Sequence, residues 1–130
     1  MKKIISTSLK LWFALTLVTA CSSDKENLLL GNWKATQLTE NGEAISMDLR
    51  EVQFTFDEQG RYQFQSTLNY REAGFYRQNN NLLYTTDTLN SKKEQQAVKI
   101  LKLDEEVLEL GMEDNGKKLV LLLEKVGIQE

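Results

Sequence analysis

From Val52 to Ser66 the chain makes the same move twice. Val52-Gln53-Phe54-Thr55-Phe56 and Tyr62-Gln63-Phe64-Gln65-Ser66 alternate apolar and polar side chains, with Asp57-Glu58-Gln59-Gly60 between them. Alternation at period two puts the apolar set on one face of a strand. Gly60 supplies the positive φ that a tight reversal needs. The segment therefore reads as an antiparallel hairpin with aromatic cross-strand pairs. Further strands are predicted at Trp33–Leu38, Ala73–Arg77, Leu82–Thr86, Ala97–Leu103, Val107–Met112 and Lys117–Val126. Asn41-Gly42, Asn79-Asn80-Asn81, Asp104-Glu105-Glu106 and Asp114-Asn115-Gly116 are the turns among them, and Asn-Gly is the strongest hairpin signal of these. Asp104–Met112 is rich in Glu and Leu and admits a helix, but period two fits it better. Ser46–Arg50 reads as a short helical turn or a lid.

Eight short strands in series make an all-β meander, and a meander removes its exposed edges by closing. With about eight strands, a closed antiparallel barrel has an interior wide enough for side chains or one small ligand. Trp33, Phe54, Phe56, Tyr62, Phe64, either Phe75 or Tyr76, Leu110, Leu119 and Leu121 are the expected filling. Leu119-Val120-Leu121-Leu122-Leu123 is apolar on both faces. If Leu119, Leu121 and Leu123 face in, Val120 and Leu122 face out. Ile100, Leu101 and Leu103 pose the same conflict.

The first twenty residues read as an address. Lys2 and Lys3 precede a short apolar run, Leu11–Val18, which is too short to span a bilayer, where about 20 apolar residues are needed. Leu17-Val18-Thr19-Ala20-Cys21 follows and resembles a bacterial lipobox. The resemblance implies cleavage between Ala20 and Cys21, acylation of the Cys21 thiol, and attachment to a lipid bilayer. Residues 1–20 are then a lipoprotein signal peptide, 21–27 a tether linker, and 28–130 one barrel domain. Cleavage removes three of the 16 bases (Lys2, Lys3 and Lys10) and none of the 19 acids, leaving an acidic body repelled by anionic headgroups. Ser22 follows the cysteine rather than the Asp that favours inner-membrane retention. Asp24-Lys25-Glu26 loosely resembles the charged segment of surface-exported Bacteroidetes lipoproteins. The expected location is the cell envelope, lipid-anchored at the outer membrane on its periplasmic face or at the cell surface.

Leu30-Gly31-Asn32-Trp33 opens the first strand as Gly-x-Trp does in lipocalins. Phe54-Thr55-Phe56, Gly60-Arg61-Tyr62 and Gly74-Phe75-Tyr76 follow in order. Residues 28–126 resemble the lipocalin-like domain of small Bacteroidetes-type lipoproteins. That resemblance implies an eight-stranded antiparallel barrel with a capacity for a small apolar ligand. Trp33, Phe54, Phe56, Tyr62, Phe64, Tyr76 and Tyr84 are the ligand-binding candidates. The chain is shorter than true lipocalins, which implies a small cavity. Where lipocalins carry an Arg over the Trp in the last strand, Lys125 is the base in place.

The remaining residue types narrow the chemistry. The chain has no His and one Cys, so it lacks the usual neutral-pH base and any Cys-rich zinc site. Ser91-Lys92 lies in a polar loop. Asp104-Glu105-Glu106 and Glu113-Asp114 lie in turns where carboxylates are solvated. No phosphate loop or calcium loop occurs. No catalytic residue, metal or cofactor is therefore expected. The formal charge of -3 lacks the basic stripe of a nucleic-acid binder. Asp87-Thr88-Leu89 resembles the Asp-Ser/Thr-apolar O-glycosylation motif of the Bacteroidetes periplasm, which makes Thr88 the candidate acceptor. The expected function is binding of a small apolar ligand in or at the mouth of a tethered barrel. The alternative is a filled barrel that docks another envelope protein as a subunit or inhibitor.

Overall fold

The computed structural model describes residues 27–90 and 94–127. The leader, Ala20, Cys21, the linker up to residue 26 and Ser91-Lys92 lie outside the described residues. The described residues form nine strands: β1 (Gly31–Glu40), β2 (Glu43–Ala44), β3 (Gln53–Phe56), β4 (Arg61–Gln65), β5 (Arg71–Asn79), β6 (Leu82–Asp87), β7 (Gln95–Leu103), β8 (Val107–Asp114) and β9 (Lys117–Lys125). Eight of them are the barrel strands, and β2 is a two-residue appendage on the end of β1. Every pairing is antiparallel, and β1 pairs with β9 to close the sheet. Asp104–Met112 contributes a strand, and Ser46–Arg50 forms no helix.

The turn residues take the conformations their chemistry favours. Asn41 and Gly42 have φ of 52° and 88°, and Asn115 and Gly116 have 54° and 83°. These paired positive values match the twist of the flanking strands. Asn80 turns β5 into β6 with φ 58°. Asp104 Oδ1 accepts the N–H groups of Glu106 and Val107, both at 2.8 Å, and so holds the β7–β8 turn.

Closure depends on two irregularities. In β1 the register against β9 shifts between Ala35 and Gln37, so Trp33, Ala35 and Leu38 all reach the interior. In β7 it shifts between Ile100 and Lys102. The extra residue is Leu101, which leaves Ile100 and Leu103 both packed on the core. A bulge thus resolves the apparent conflict among Ile100, Leu101 and Leu103. Leu101 is 51% exposed on the outer wall. It lies over Gly111, where an added Cβ would come within 2.9 Å of its Cδ1.

The interior has two levels. At the end where the chain enters, Leu29, Trp33, Phe56, Leu83, Leu108 and Leu123 are essentially without solvent contact and form a sealed floor. The Leu28–Leu30 segment folds under this floor: Trp33 Nε1 donates to the Leu29 carbonyl at 2.9 Å. Asn27 already belongs to the body, because its Nδ2 donates to Tyr76 Oη at 3.0 Å. Towards the other end cover is uneven: Val52, Tyr62, Leu110 and Leu121 stay buried, but others do not. Leu38, Phe54, Phe64 and Val98 pack on the core yet stay half-buried. Leu119 faces inward but is only half-buried, Tyr76 points in, and Phe75 points out.

Candidate site at the mouth of the barrel

Period two in β3 and β4 sends Phe54, Phe56, Tyr62 and Phe64 to the same side. The cross-strand register pairs Phe54 with Phe64 and Phe56 with Tyr62. An aromatic ladder results. Tyr76 meets Phe56 edge-on at 4.9 Å between centroids. Phe56 stacks with Phe54 at 5.5 Å, and Phe54 contacts Phe64 at 4.6 Å. Phe64 meets Tyr70 edge-on at 6.3 Å. The ladder runs from floor to rim; the Phe56–Tyr76 and Phe64–Tyr70 contacts have the edge-on geometry that aromatic quadrupoles favour, and Phe54–Phe64 is tilted at 37°.

A polar knot stands beside this ladder. Glu72 accepts a hydrogen bond from the Tyr62 hydroxyl on Oε1 at 2.9 Å and one from the Tyr70 hydroxyl on Oε2 at 2.7 Å. Burial, then the bond to Glu72, pushes the Tyr62 phenol well above the ordinary tyrosine value. The bond to Glu72, then desolvation, pushes Tyr70 up to about 12. Both phenols therefore stay protonated donors at neutral pH.

Asp87 faces inward on the neighbouring strand at 6% exposure. Its Oδ1 accepts the N–H groups of Ala73, Leu89 and Asn90, and its Oδ2 accepts Asn90 Nδ2 at 2.7 Å. Burial alone would raise this carboxyl. The hydrogen bonds, led by Asn90, outweigh burial and hold it below its usual value. Its acceptor capacity goes into fixing the loop that follows β6. Thr88, next in sequence, is exposed, and its hydroxyl donates to the Ala73 carbonyl at 3.3 Å.

Of the aromatic residues singled out from sequence, Phe54, Phe56, Tyr62, Phe64 and Tyr76 come together inside. Trp33 lies in the floor, with Lys125 Nζ 5.0 Å from its ring centroid. Tyr84 does not join them. It pairs in register with Arg77, whose guanidinium lies 4.1 Å from the Tyr84 centroid on the outer wall. Leu83, one residue before it, takes the interior position with no exposure. Leu38, Val98, Tyr70 and Glu72 belong to the mouth and were not singled out. Glu72 was one step of period two away, two positions before Gly74 and four before Tyr76. Among the described residues no group of three or more Asp, Glu, His or Cys could hold a metal ion.

The rim carries exposed apolar side chains on separate loops: Met47, Leu68 and Leu89. Leu68 is 94% exposed and has φ 61°. This is a left-handed conformation that a branched L-residue adopts only at a cost.

No protein-family model matches the sequence, and no curated protein matches it. Solved structures do. A lipocalin-like protein from Bacteroides uniformis superimposes with a TM-score of 0.59 at 17% identity, over 77% of this chain and 100% of that one. An uncharacterized protein from Bacteroides eggerthii superimposes with a TM-score of 0.54 at 14% identity, over 75% of this chain and 99% of that one. At such identities the likeness concerns the backbone: the chain folds as a closed, eight-stranded, lipocalin-like antiparallel barrel.

Proposed function

We propose that this protein is a membrane-tethered lipoprotein whose barrel takes a small apolar ligand at its mouth. The observation that carries the reading is the contrast between the two levels of the interior. Leu38, Phe54, Phe64 and Val98 face inward but remain half-buried above a floor with no solvent contact. The open apolar surface is confined to these side chains, because Val52, Tyr62, Leu110 and Leu121 around them are buried. Apolar surface held open to water in a concave site is what a small apolar molecule covers with gain.

The tether reading rests on Val18-Thr19-Ala20-Cys21. Acylated Cys21 would hold the protein in the cell envelope, at the outer membrane. The chain enters the barrel at the floor, beside Tyr76 and under Trp33. Six residues from Ser22 to Asn27 reach roughly 20 Å when extended. That is less than the distance a tether would have to climb along the barrel, roughly 25 Å for tilted strands of this length. The floor therefore faces the bilayer and the mouth faces away. Thr88, exposed beside the mouth, is the proposed glycan acceptor.

Titration of the delipidated domain with the neutral probe N-phenyl-1-naphthylamine tests the ligand reading. Saturable one-to-one enhancement of probe fluorescence, weakened by Phe64→Glu without loss of the Trp33 signal, is expected. An absence of saturable binding contradicts it.

A second reading, docking of an envelope partner, has its own observation. Leu82, Ala97, Leu101 and Val120 surround an open hollow of about 490 Å³ on the outer wall. Self-association or partner capture that is lost in Val120→Lys would favour it.

A further inference from the structure

We infer that the mouth selects apolar chains ending in a hydrogen-bond donor, an amine or an alcohol, and turns away chains ending in a carboxylate. The inference rests on the apolar-ligand reading above and adds the chemistry of the head group. Tyr62 and Tyr70 each have a single phenol proton, and both protons are committed to Glu72. Tyr62 is 2% exposed, so its oxygen is closed to a ligand. That leaves two groups for a ligand: the oxygen of Tyr70, an exposed residue, and the remaining lone pairs of Glu72. A phenol oxygen whose hydrogen is already donated elsewhere, and a carboxylate oxygen, can only accept.

The apolar ladder and the acceptor pair lie within reach of one another. Phe64 contacts the Tyr70 ring, and its strand neighbour in register is Glu72. A chain lying along Phe54 and Phe64 would thus bring its end group to Tyr70 and Glu72. Asp87 adds a second carboxylate that acts on both phenols. The described bases of β4 and β5 (Arg61, Arg71 and Arg77) alternate with the inward residues and point to the outer wall. Lys125 lies at the floor on Trp33. Lys117, across the mouth on β9, is paired with Glu40 at 3.6 Å, so beside Tyr70 and Glu72 a carboxylate head group would meet like charge, whereas an amine or hydroxyl would donate a hydrogen bond to an unfilled acceptor.

Competition for bound N-phenyl-1-naphthylamine by dodecanol, dodecylamine and dodecanoate at neutral pH, in wild type and Glu72→Gln, tests this. The expected result is that dodecanol and dodecylamine displace the probe, while dodecanoate needs at least about tenfold more, the loss anticipated for a charged group left without a partner. Glu72→Gln keeps an acceptor for the phenols and adds an amide donor, so it should narrow that gap. Unchanged Trp33 emission controls for folding. Equal competition by all three ligands, or a gap unaffected by Glu72→Gln, overturns the head-group inference and leaves the apolar-ligand reading standing. Failure of the probe and all three chains to bind overturns both.

Discussion

Lys125 Nζ lies 5.0 Å from the centroid of the Trp33 ring, across the seam where β9 closes against β1. Trp33 and Lys125 are direct partners in that ladder, so first and last strands meet through a cation on an aromatic face. The ring is fully buried, and its one polar atom is satisfied by the Leu29 carbonyl. Lys125 thus serves the floor of the barrel.

Trp33→Ala should therefore destabilise the barrel by about 3–5 kcal/mol, the usual cost of truncating a large buried aromatic. Lys125→Ala should cost only about 0.5–2 kcal/mol, the range of a partly desolvated cation–π contact. Chemical denaturation of the delipidated domain, followed by Trp33 emission for Lys125→Ala and by circular dichroism for Trp33→Ala, checks both. Strongly red-shifted, easily quenched native emission would contradict burial of Trp33.

Gly74 is expected to tolerate no side chain. An added Cβ would meet the carbonyl oxygen of Thr86 on the neighbouring strand and crowd the backbone N–H of Thr88. Neither atom belongs to a side chain that can move aside. Gly74→Ala should cost about 3 kcal/mol or more, measurable as a lowered denaturation midpoint. A neutral outcome would mean that β5 and β6 are further apart.

Leu68 offers the opposite test. Its φ of 61° and near-complete exposure mean that it contributes strain without core packing. Leu68→Gly should stabilise the protein by about 1 kcal/mol, because glycine meets no Cβ penalty in the left-handed region. A destabilised variant would show that Leu68 makes a contact worth more than its strain.

The tyrosines should report the polar knot directly. Tyr70 is pushed up to about 12 from an ordinary 10.0, first through its bond to Glu72. A raised folded-state value favours the protonated phenol. Stability from this source is complete below the unfolded value and is lost as pH rises through the folded one. Phenolate absorbance of the native protein should lag behind that of the unfolded protein between about pH 10 and 12, and Glu72→Gln should shrink the lag. Asp87 has the opposite sign. Its lowered folded value stabilises above the unfolded carboxylate value and is lost as pH falls towards it and below. Asp87→Asn should therefore flatten the acid limb of the stability profile.

What could be read from the chain alone was what is local. Asn41-Gly42 and Asn115-Gly116 set their own backbone, and Phe54, Phe56, Tyr62 and Phe64 alternate cleanly with polar residues. Leu82-Leu83-Tyr84 is apolar on both faces, so period two could not say which face was inward, and Tyr84 was assigned to the wrong side. Leu101 became an outward bulge through its pairing across to β8, a distant part of the chain. Glu72 is charged, and a charge at the edge of a strand reads as solvated until Tyr62 and Tyr70 are seen to converge on it.

The outer wall should tolerate charge. Val120 faces out, paired with Gly111 and Thr39, and Leu122 faces out opposite Glu109 and Gln37. Val120→Lys with Leu122→Lys should leave the barrel folded by circular dichroism. An unfolded double mutant would mean that the faces are reversed.

The most direct test of the open mouth is nuclear magnetic resonance of the delipidated domain with a nitroxide-labelled apolar chain. Paramagnetic broadening should strike the Leu38 and Val98 methyls and the Phe54 and Phe64 rings, and spare Leu101 and Val120. Broadening confined to Leu101 and Val120, with the mouth residues untouched, would contradict a ligand-binding barrel and move the site to the outer wall.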